Sequence, residues 1–404
     1  MAGLLTILDE ESRLERLSVV VHTIMKSSHL RSLLVRASVC GVEELHVDLL
    51  NPTVAEKARF RFPILSGVLE HLSLRHIVLS KMRFGKNQRF DELAVIYFYS
   101  VTIETNTFMN VITRCPNLRV LDLRCCFLLD DIAFPPGVAT NLRSLTIAGC
   151  NRLKRVDVVS VPSLRSVFYS GRFLSSFYLP RTRDGDASFT DLYICYDGSI
   201  VPQVFGKWSK EALPKLSNLS NLTICSNALQ IVSSLPNEER TPQLAWLGSF
   251  QSLTELQLLM FEMRAKNLAG IYAFLENCHC PNLTRLFLQL PRIRDRDRQA
   301  RLESVSEEVP EDGLGKLRVV RIMNFNRTRI EIQLVSFLLR KARDINTLQL
   351  VSPSPNTIPL GALGVEQEDI RPIIQEALAN GVIKYSKSDD GTTQPCHSEV
   401  FIKF

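Results

Sequence analysis

The sequence predicts an α/β solenoid, with a curved parallel sheet on the concave face and helices and short extended segments on the convex face. Three observations predict it. The pattern LxxLxLxx(C/N) recurs in "NLRVLDLRCC" (117–126), "NLRSLTIAGC" (141–150) and "NLSNLTICSN" (218–227). Weaker copies start at Val42, Leu69, Leu93, Leu164, Phe189, Leu253, Leu283, Leu317 and Ile345. Between some copies lie amphipathic stretches that end at a proline. The resulting twelve strand positions lie 22 to 34 residues apart. The shorter spacings match the leucine-rich-repeat period of about 20–29 residues, and the longer ones call for insertions or longer helices.

Each part of the pattern has a physical reason. Leucines at its fourth and sixth positions alternate with other residues, which suits a strand with one buried face. The Cys or Asn stands where the chain turns off the strand, where its side chain can satisfy backbone groups. In "TNTFMNVITRCPNL" (105–118), Phe108, Val111 and Ile112 share a helical face before Cys115-Pro116. In "NLAGIYAFLENCHCPNL" (267–283), Leu268, Ile271, Phe274 and Leu275 do the same before Cys280-Pro281. A proline disfavours helix at the residue before it, so each helix should stop there. Residues 150–180 lack a helical period, and short extended segments are expected around Leu153–Val158 and Leu174–Leu179.

Four regions follow. Residues 1–41, with Leu14, Leu17, Val21, Ile24 and Met25 at helical spacing, are expected to form a helical cap over the solenoid end. Residues 42–290 carry the repeats. Residues 291–314 form a charged insertion, basic first and acidic later. Residues 315–404 hold closing repeats and a cap. There Thr328 and Glu331 fit a capping box, so a helix should start at Arg329 and present Ile332, Val335, Leu339 and Ala342 along one stripe.

Composition narrows the function. Hydrophobic residues make up 45% of the 404, enough for a large core, and the net charge of +6 is mild for this length. That charge density does not suggest a nucleic-acid binder. The ten cysteines are scattered rather than packed into a disulfide framework. No signal peptide opens the sequence, and no apolar run reaches the roughly 18 residues that a membrane span needs. A reducing compartment, cytoplasm or nucleus, is expected. No nucleotide, hydrolase or zinc-protease motif occurs, so neither an enzyme nor a cofactor nor a metal is expected. The Cys278-His279-Cys280 triplet places Cys280 at a repeat position, as Cys115 is in the earlier copy.

A protein-binding surface is the expected working part. Residues between the leucines of each strand point to the concave face. They include Tyr97, Tyr99, Asp122, Arg124, Phe168, Tyr193, Arg285, Phe287, Gln289 and Arg321. Aromatic and arginine side chains are common interface anchors.

The stretch "LGKLRVVRIMNFNRTRIEIQLVSFLLRKARDINTLQL" (314–350) resembles the FBD module that closes plant F-box/leucine-rich-repeat proteins. It shares the strand, Asn324-Phe325, the helix and the final "LQL" strand. The repeats around 113–171 and the tail "SKSDDGTTQPCHSEVFIKF" are also similar to that family. The resemblance spans about residues 42 to 404. It implies FBD-type strand–helix–strand repeats at the C-terminal end. It also implies a substrate-recognition subunit of an SCF-type cullin ubiquitin ligase, with a protein substrate held on the repeats. The family's F-box carries a Leu-Pro pair and a tryptophan. Here the first proline is Pro52 and the tryptophans are Trp208 and Trp246, so no F-box is visible to dock a Skp-type adaptor. The expected function is a non-catalytic receptor or its F-box-less remnant. The alternative is a leucine-rich-repeat scaffold or competitor without a ligase role.

Overall fold

The computed structural model describes residues 14–22, 26–50, 59–60, 67–79, 88–174, 176–198, 215–229, 250–277, 280–292, 314–342, 344–353, 371–387, 391 and 393–399. The chain forms two compact units, Met1–Thr182 and Arg183–Phe404.

In the first unit the elements run β1 (Arg16–Val21), α1 (Ser27–Val39), β2 (Glu44–Leu49), β3 (Arg59–Phe60), β4 (His71–Arg75), β5 (Val78–Leu79), β6 (Val95–Tyr99), β7 (Thr102–Ile103), α2 (Thr105–Ile112), β8 (Val120–Arg124), β9 (Asp131–Ala133), β10 (Ser144–Ala148), β11 (Arg155–Asp157), β12 (Ser166–Arg172) and β13 (Ser176–Tyr178). Seven of these strands pair in parallel, in the order β1-β2-β4-β6-β8-β10-β12. Two small parallel sheets, β3-β5-β7 and β9-β11-β13, form a second layer of strands. The leucines of the pattern are the reason for the ladder. Leu72, Leu74, Ile96, Phe98, Leu121, Leu123, Leu145 and Ile147 are all buried. Each such side chain contributes about 1.5–3 kcal/mol relative to exposure. Phe108, Val111 and Ile112 of α2 are buried with them. The extended segments expected near 153–158 and 174–179 are β11 and β13.

The turns off the strands also repeat. His76, Ser100, Cys125 and Gly149 follow β4, β6, β8 and β10, with φ between 50° and 64°. This left-handed conformation costs an L-residue roughly 1–2 kcal/mol, and Gly149 adopts it without that cost. A Cβ at Gly149 would also stand 3.2 Å from Cys125 Sγ. The pattern's Cys and Asn meet carbonyls of the preceding repeat's strand. Cys126 Sγ contacts Phe98 O, Cys150 Sγ contacts Leu123 O, and Asn227 Nδ2 donates to Tyr196 O at 2.9 Å. A second Asn series precedes the strands. Asn117, Asn141, Asn218 and Asn282 each donate to a main-chain carbonyl of the previous repeat. These exposed and part-exposed bonds are individually modest. Asn141→Ala is expected to cost about 1 kcal/mol, read as faster amide exchange in β8 and β10 without loss of fold.

The expectation of a purely helical cap in residues 1–41 is corrected. Residues 16–21 form β1, in parallel register with β2, and the helix begins only at Ser27. Leu17, Val19 and Val21 satisfy a two-residue period as well as part of a helical one, and the run Val19-Val20-Val21 favours a strand. Ile24 and Met25 lie outside the described residues.

In the second unit the elements are β14 (Asp191–Asp197), β15 (Asn221–Cys225), β16 (Glu255–Leu259), α3 (Ala265–Asn277), β17 (Arg285–Gln289), β18 (Val319–Met323), α4 (Arg329–Lys341), β19 (Thr347–Val351), α5 (Arg371–Ala379) and β20 (Ile383–Ser386). Its seven strands pair in parallel in chain order. β20 adds a strand that the leucine pattern did not reveal. Helix α4 starts at Arg329 with both halves of the capping box formed between Thr328 and Glu331. Tyr272 of α3 packs on Phe337 of α4 with ring centroids 4.2 Å apart. Residues 293–313 of the charged insertion lie outside the described residues.

Candidate functional site

Alternation in the parallel ladders places every second residue on the face opposite the buried leucines, here called the ladder face. In the first unit the register lines up Ser18, His46, Ser73, Tyr97, Asp122, Thr146 and Phe168 in one row. The adjacent row holds Val20, Asp48, Arg75, Tyr99, Arg124, Ala148 and Ser170. Tyr97 and Tyr99 are 44% and 39% exposed.

Polar contacts hold this face in shape. Arg124 grips Asp122 with two charge-assisted bonds, Nε to Oδ1 at 2.8 Å and Nη2 to Oδ2 at 2.7 Å. Asp122 is buried, contrary to the expectation that it is part of an open face, because its own strand neighbour Arg124 covers and neutralises it. The guanidinium of Arg75 lies 5.6 Å from the Tyr99 ring centroid, and the His76 ring meets Tyr99 edge-on at 5.5 Å. His76 Nδ1 is 2.9 Å from Asp48 Oδ1, and His46 Nδ1 is 2.9 Å from Ser73 Oγ. Burial, with Arg75 nearby, lowers the pKa of His46, which favours its neutral ring. Phe168 is half-buried at the end of its row. The exposed part of the face thus presents two aromatic rings on a braced strand.

The second unit's ladder face differs. One row runs Tyr193, Thr223, Gln257, Phe287, Arg321, Gln349 and Lys384. Beside it run Asp191, Asn221, Glu255 and Arg285. Tyr193, Phe287 and Arg321 are buried, not exposed as expected. The chain's own residues 393–397 lie against these rows. Arg321 Nη1 donates to Thr393 O, and Arg285 Nη2 to Gln394 O at 2.6 Å. The Cys396 amide donates to Glu255 Oε1. His397 Nδ1 is 2.8 Å from Thr223 Oγ1, and its ring meets Tyr193 edge-on at 6.0 Å. Successive residues of the segment therefore meet β18, β17, β16, and then β15 with β14. Arg285 also pairs with Glu255 Oε2 at 2.7 Å. Burial raises the Glu255 pKa, while the Cys396 amide and Arg285 oppose that rise. Gln289 is half-buried in β17.

A cluster missed at the sequence level closes this contact. Single ligand atoms of Asp191, Cys396 and His397 lie within 4.8 Å of one another. Adjacent Cys396 and His397 were the available signal, but Asp191 joins them only through the fold. Partial burial, then the Asp191 and Glu255 carboxylates, push the Cys396 thiol up, the opposite of an activated nucleophile. Burial pulls His397 down to about 4, so its ring is neutral at neutral pH. The buried Cys115 and Cys280 thiols are each pushed up to about 12 by burial, as suits repeat-position cysteines. Cys278 and His279 lie outside the described residues. A cavity of about 450 Å³ beside Asn151, Lys154 and Arg172 has no His, Cys or carboxylate in its lining.

Stacked parallel strands, most of them carrying the leucine pattern, define a leucine-rich-repeat protein, a class that works through its ladder surface. Residues 10–358 match the family model described as "At1g61320/AtMIF1, LRR domain", and the chain belongs to that family. Among curated proteins, none matches the chain. No helix among the described residues is long and apolar enough to cross a membrane.

Proposed function

We propose that this protein is a non-catalytic, intracellular receptor that binds a protein substrate on the ladder face of its first unit. The observation that carries the reading is the exposed Tyr97–Tyr99 pair, braced by Arg75, His76 and the Asp122–Arg124 pair. Large aromatics held in place lose little side-chain entropy on binding, which is what makes such residues interface anchors. Tyr97→Ala combined with Tyr99→Ala is expected to weaken partner binding by about 2–4 kcal/mol, roughly 30- to 1,000-fold, with the fold intact. Unchanged affinity would remove this face from the account.

The resemblance of residues 314–350 to the FBD module supports a finer reading. In it the protein is the substrate-recognition part of an SCF-type ubiquitin ligase and works in the cytoplasm or nucleus. Co-purification with a Skp-type adaptor tests that reading, and a clean failure to bind one overturns it. A second reading is a scaffold or competitor with no ligase role. It needs only the ladder face and the leucine-rich-repeat family that residues 10–358 match. A stable partner whose abundance does not respond to this protein would support the second reading.

A further inference from the structure

We propose that Asp191, Cys396 and His397 bind a zinc ion that fastens the C-terminal segment onto the ladder face of the second unit. The three donors come from two places that only the fold unites. Asp191 opens β14, and Cys396 and His397 end the segment that crosses β18 to β15. One ligand atom from each lies within 4.8 Å of the other two. A thiol, an imidazole and a carboxylate form a borderline-soft donor set. That set suits Zn²⁺, whereas Mg²⁺ and Ca²⁺ call for oxygen ligands.

Neighbouring groups orient the outer two ligands. Asn221 Nδ2 donates to Asp191 Oδ1 at 2.5 Å. Thr223 Oγ1 lies 2.8 Å from His397 Nδ1 and donates to Gln257 Oε1 at 2.9 Å, so the ring is fixed through two further strands. Such second contacts commonly set ligand orientation in zinc sites. Cys396 is exposed, which leaves the ion a way in. On binding, the Cys396 thiol gives its proton to solvent and the thiolate donates its electron pair to the metal. Zinc stays Zn²⁺ throughout, and the fourth tetrahedral position is left for water or an incoming group. The ion would join the segment to β14, beyond the main-chain contacts that hold it to β16, β17 and β18.

The test uses the full chain, stripped of metal with a chelator and titrated with Zn²⁺ against a chromophoric competitor. One zinc per chain is expected. Cys396→Ser, His397→Gln and Asp191→Asn should each weaken binding by at least about tenfold, the scale on which even supporting contacts act. Co²⁺ should give a thiolate-to-cobalt charge-transfer band that is absent in Cys396→Ser. Zinc should also slow hydrogen exchange at the Cys396 amide. Core amide exchange in β15 and β16 checks that each variant is folded. Failure to bind zinc would overturn the proposal. So would wild-type affinity in Asp191→Asn, or a cobalt band that survives Cys396→Ser, since the metal would then sit on other groups.

Discussion

Arg321→Ala is expected to release residues 393–397 from the second unit's ladder face. Arg321 sits between Phe287 and Gln349 in its row, only 2% exposed, and donates to the Thr393 carbonyl. A buried charge is costly unless it is hydrogen-bonded, so the bond from Nη1 to the Thr393 carbonyl offsets part of the cost of burying this guanidinium. Alanine removes the charge-assisted bond and leaves a hole beneath the segment. A hydrogen bond to a charged group contributes about 1.5–3 kcal/mol, so the segment should open roughly 10- to 100-fold more often. The readout is hydrogen exchange at the Cys396 amide, which is held by Glu255 in the docked state. Arg321→Lys should recover part of the protection, since an ammonium can reach one carbonyl but lacks the planar fork. Unprotected Cys396 in the unaltered protein would contradict the docked arrangement.

The second large effect is expected at Glu331. This residue is fully buried in the first turn of α4, and its Oε2 accepts from the amides of Asn326 at 2.8 Å and Thr328 at 3.1 Å. Alanine would leave both part-buried amides without this acceptor, and a loss of about 2–4 kcal/mol is expected. Glutamine keeps an acceptor in place and should cost less than about 1 kcal/mol. The pair also predicts a pH dependence. Burial pushes the Glu331 carboxyl up from 4.5 to about 7, and the amides it accepts from hold that rise in check. The folded state therefore binds the extra proton between those values, so this contribution to stability is fully present below pH 4.5 and is lost as pH rises through 7. Above pH 7 this contribution is flat. The span is about 3 kcal/mol, and Glu331→Gln should abolish it. Exchange of the α4 amides at pH 5 and pH 8 measures the difference.

The repeat strands were legible because leucine at the fourth and sixth positions is a local signal that each repeat states again. The start of α4 was legible for the same reason, since the Thr328–Glu331 box spans only one turn. β1 was less so. Leu14, Leu17 and Val21 fit a helical period, and only pairing with β2 decides for the strand. The face of each strand could be read, but its exposure could not. Tyr193, Phe287 and Arg321 lie in the expected row, yet a distant segment covers them, and most of that contact runs through main-chain carbonyls and one amide that leave no sequence pattern. Asp122 was placed in its row as well, and its burial follows from Arg124 folding back on it.

Site-specific photo-crosslinking on the full chain tests the central claim, that protein is recognised on the first unit's ladder face. A photoreactive residue is placed at Tyr97, at Tyr99, or at Val159, which is exposed in the turn after β11. The account predicts a shared protein adduct from positions 97 and 99, lost on Arg124→Ala, and none from position 159. The same adduct at all three positions, or adducts at 97 and 99 that survive Arg124→Ala unchanged, would contradict it.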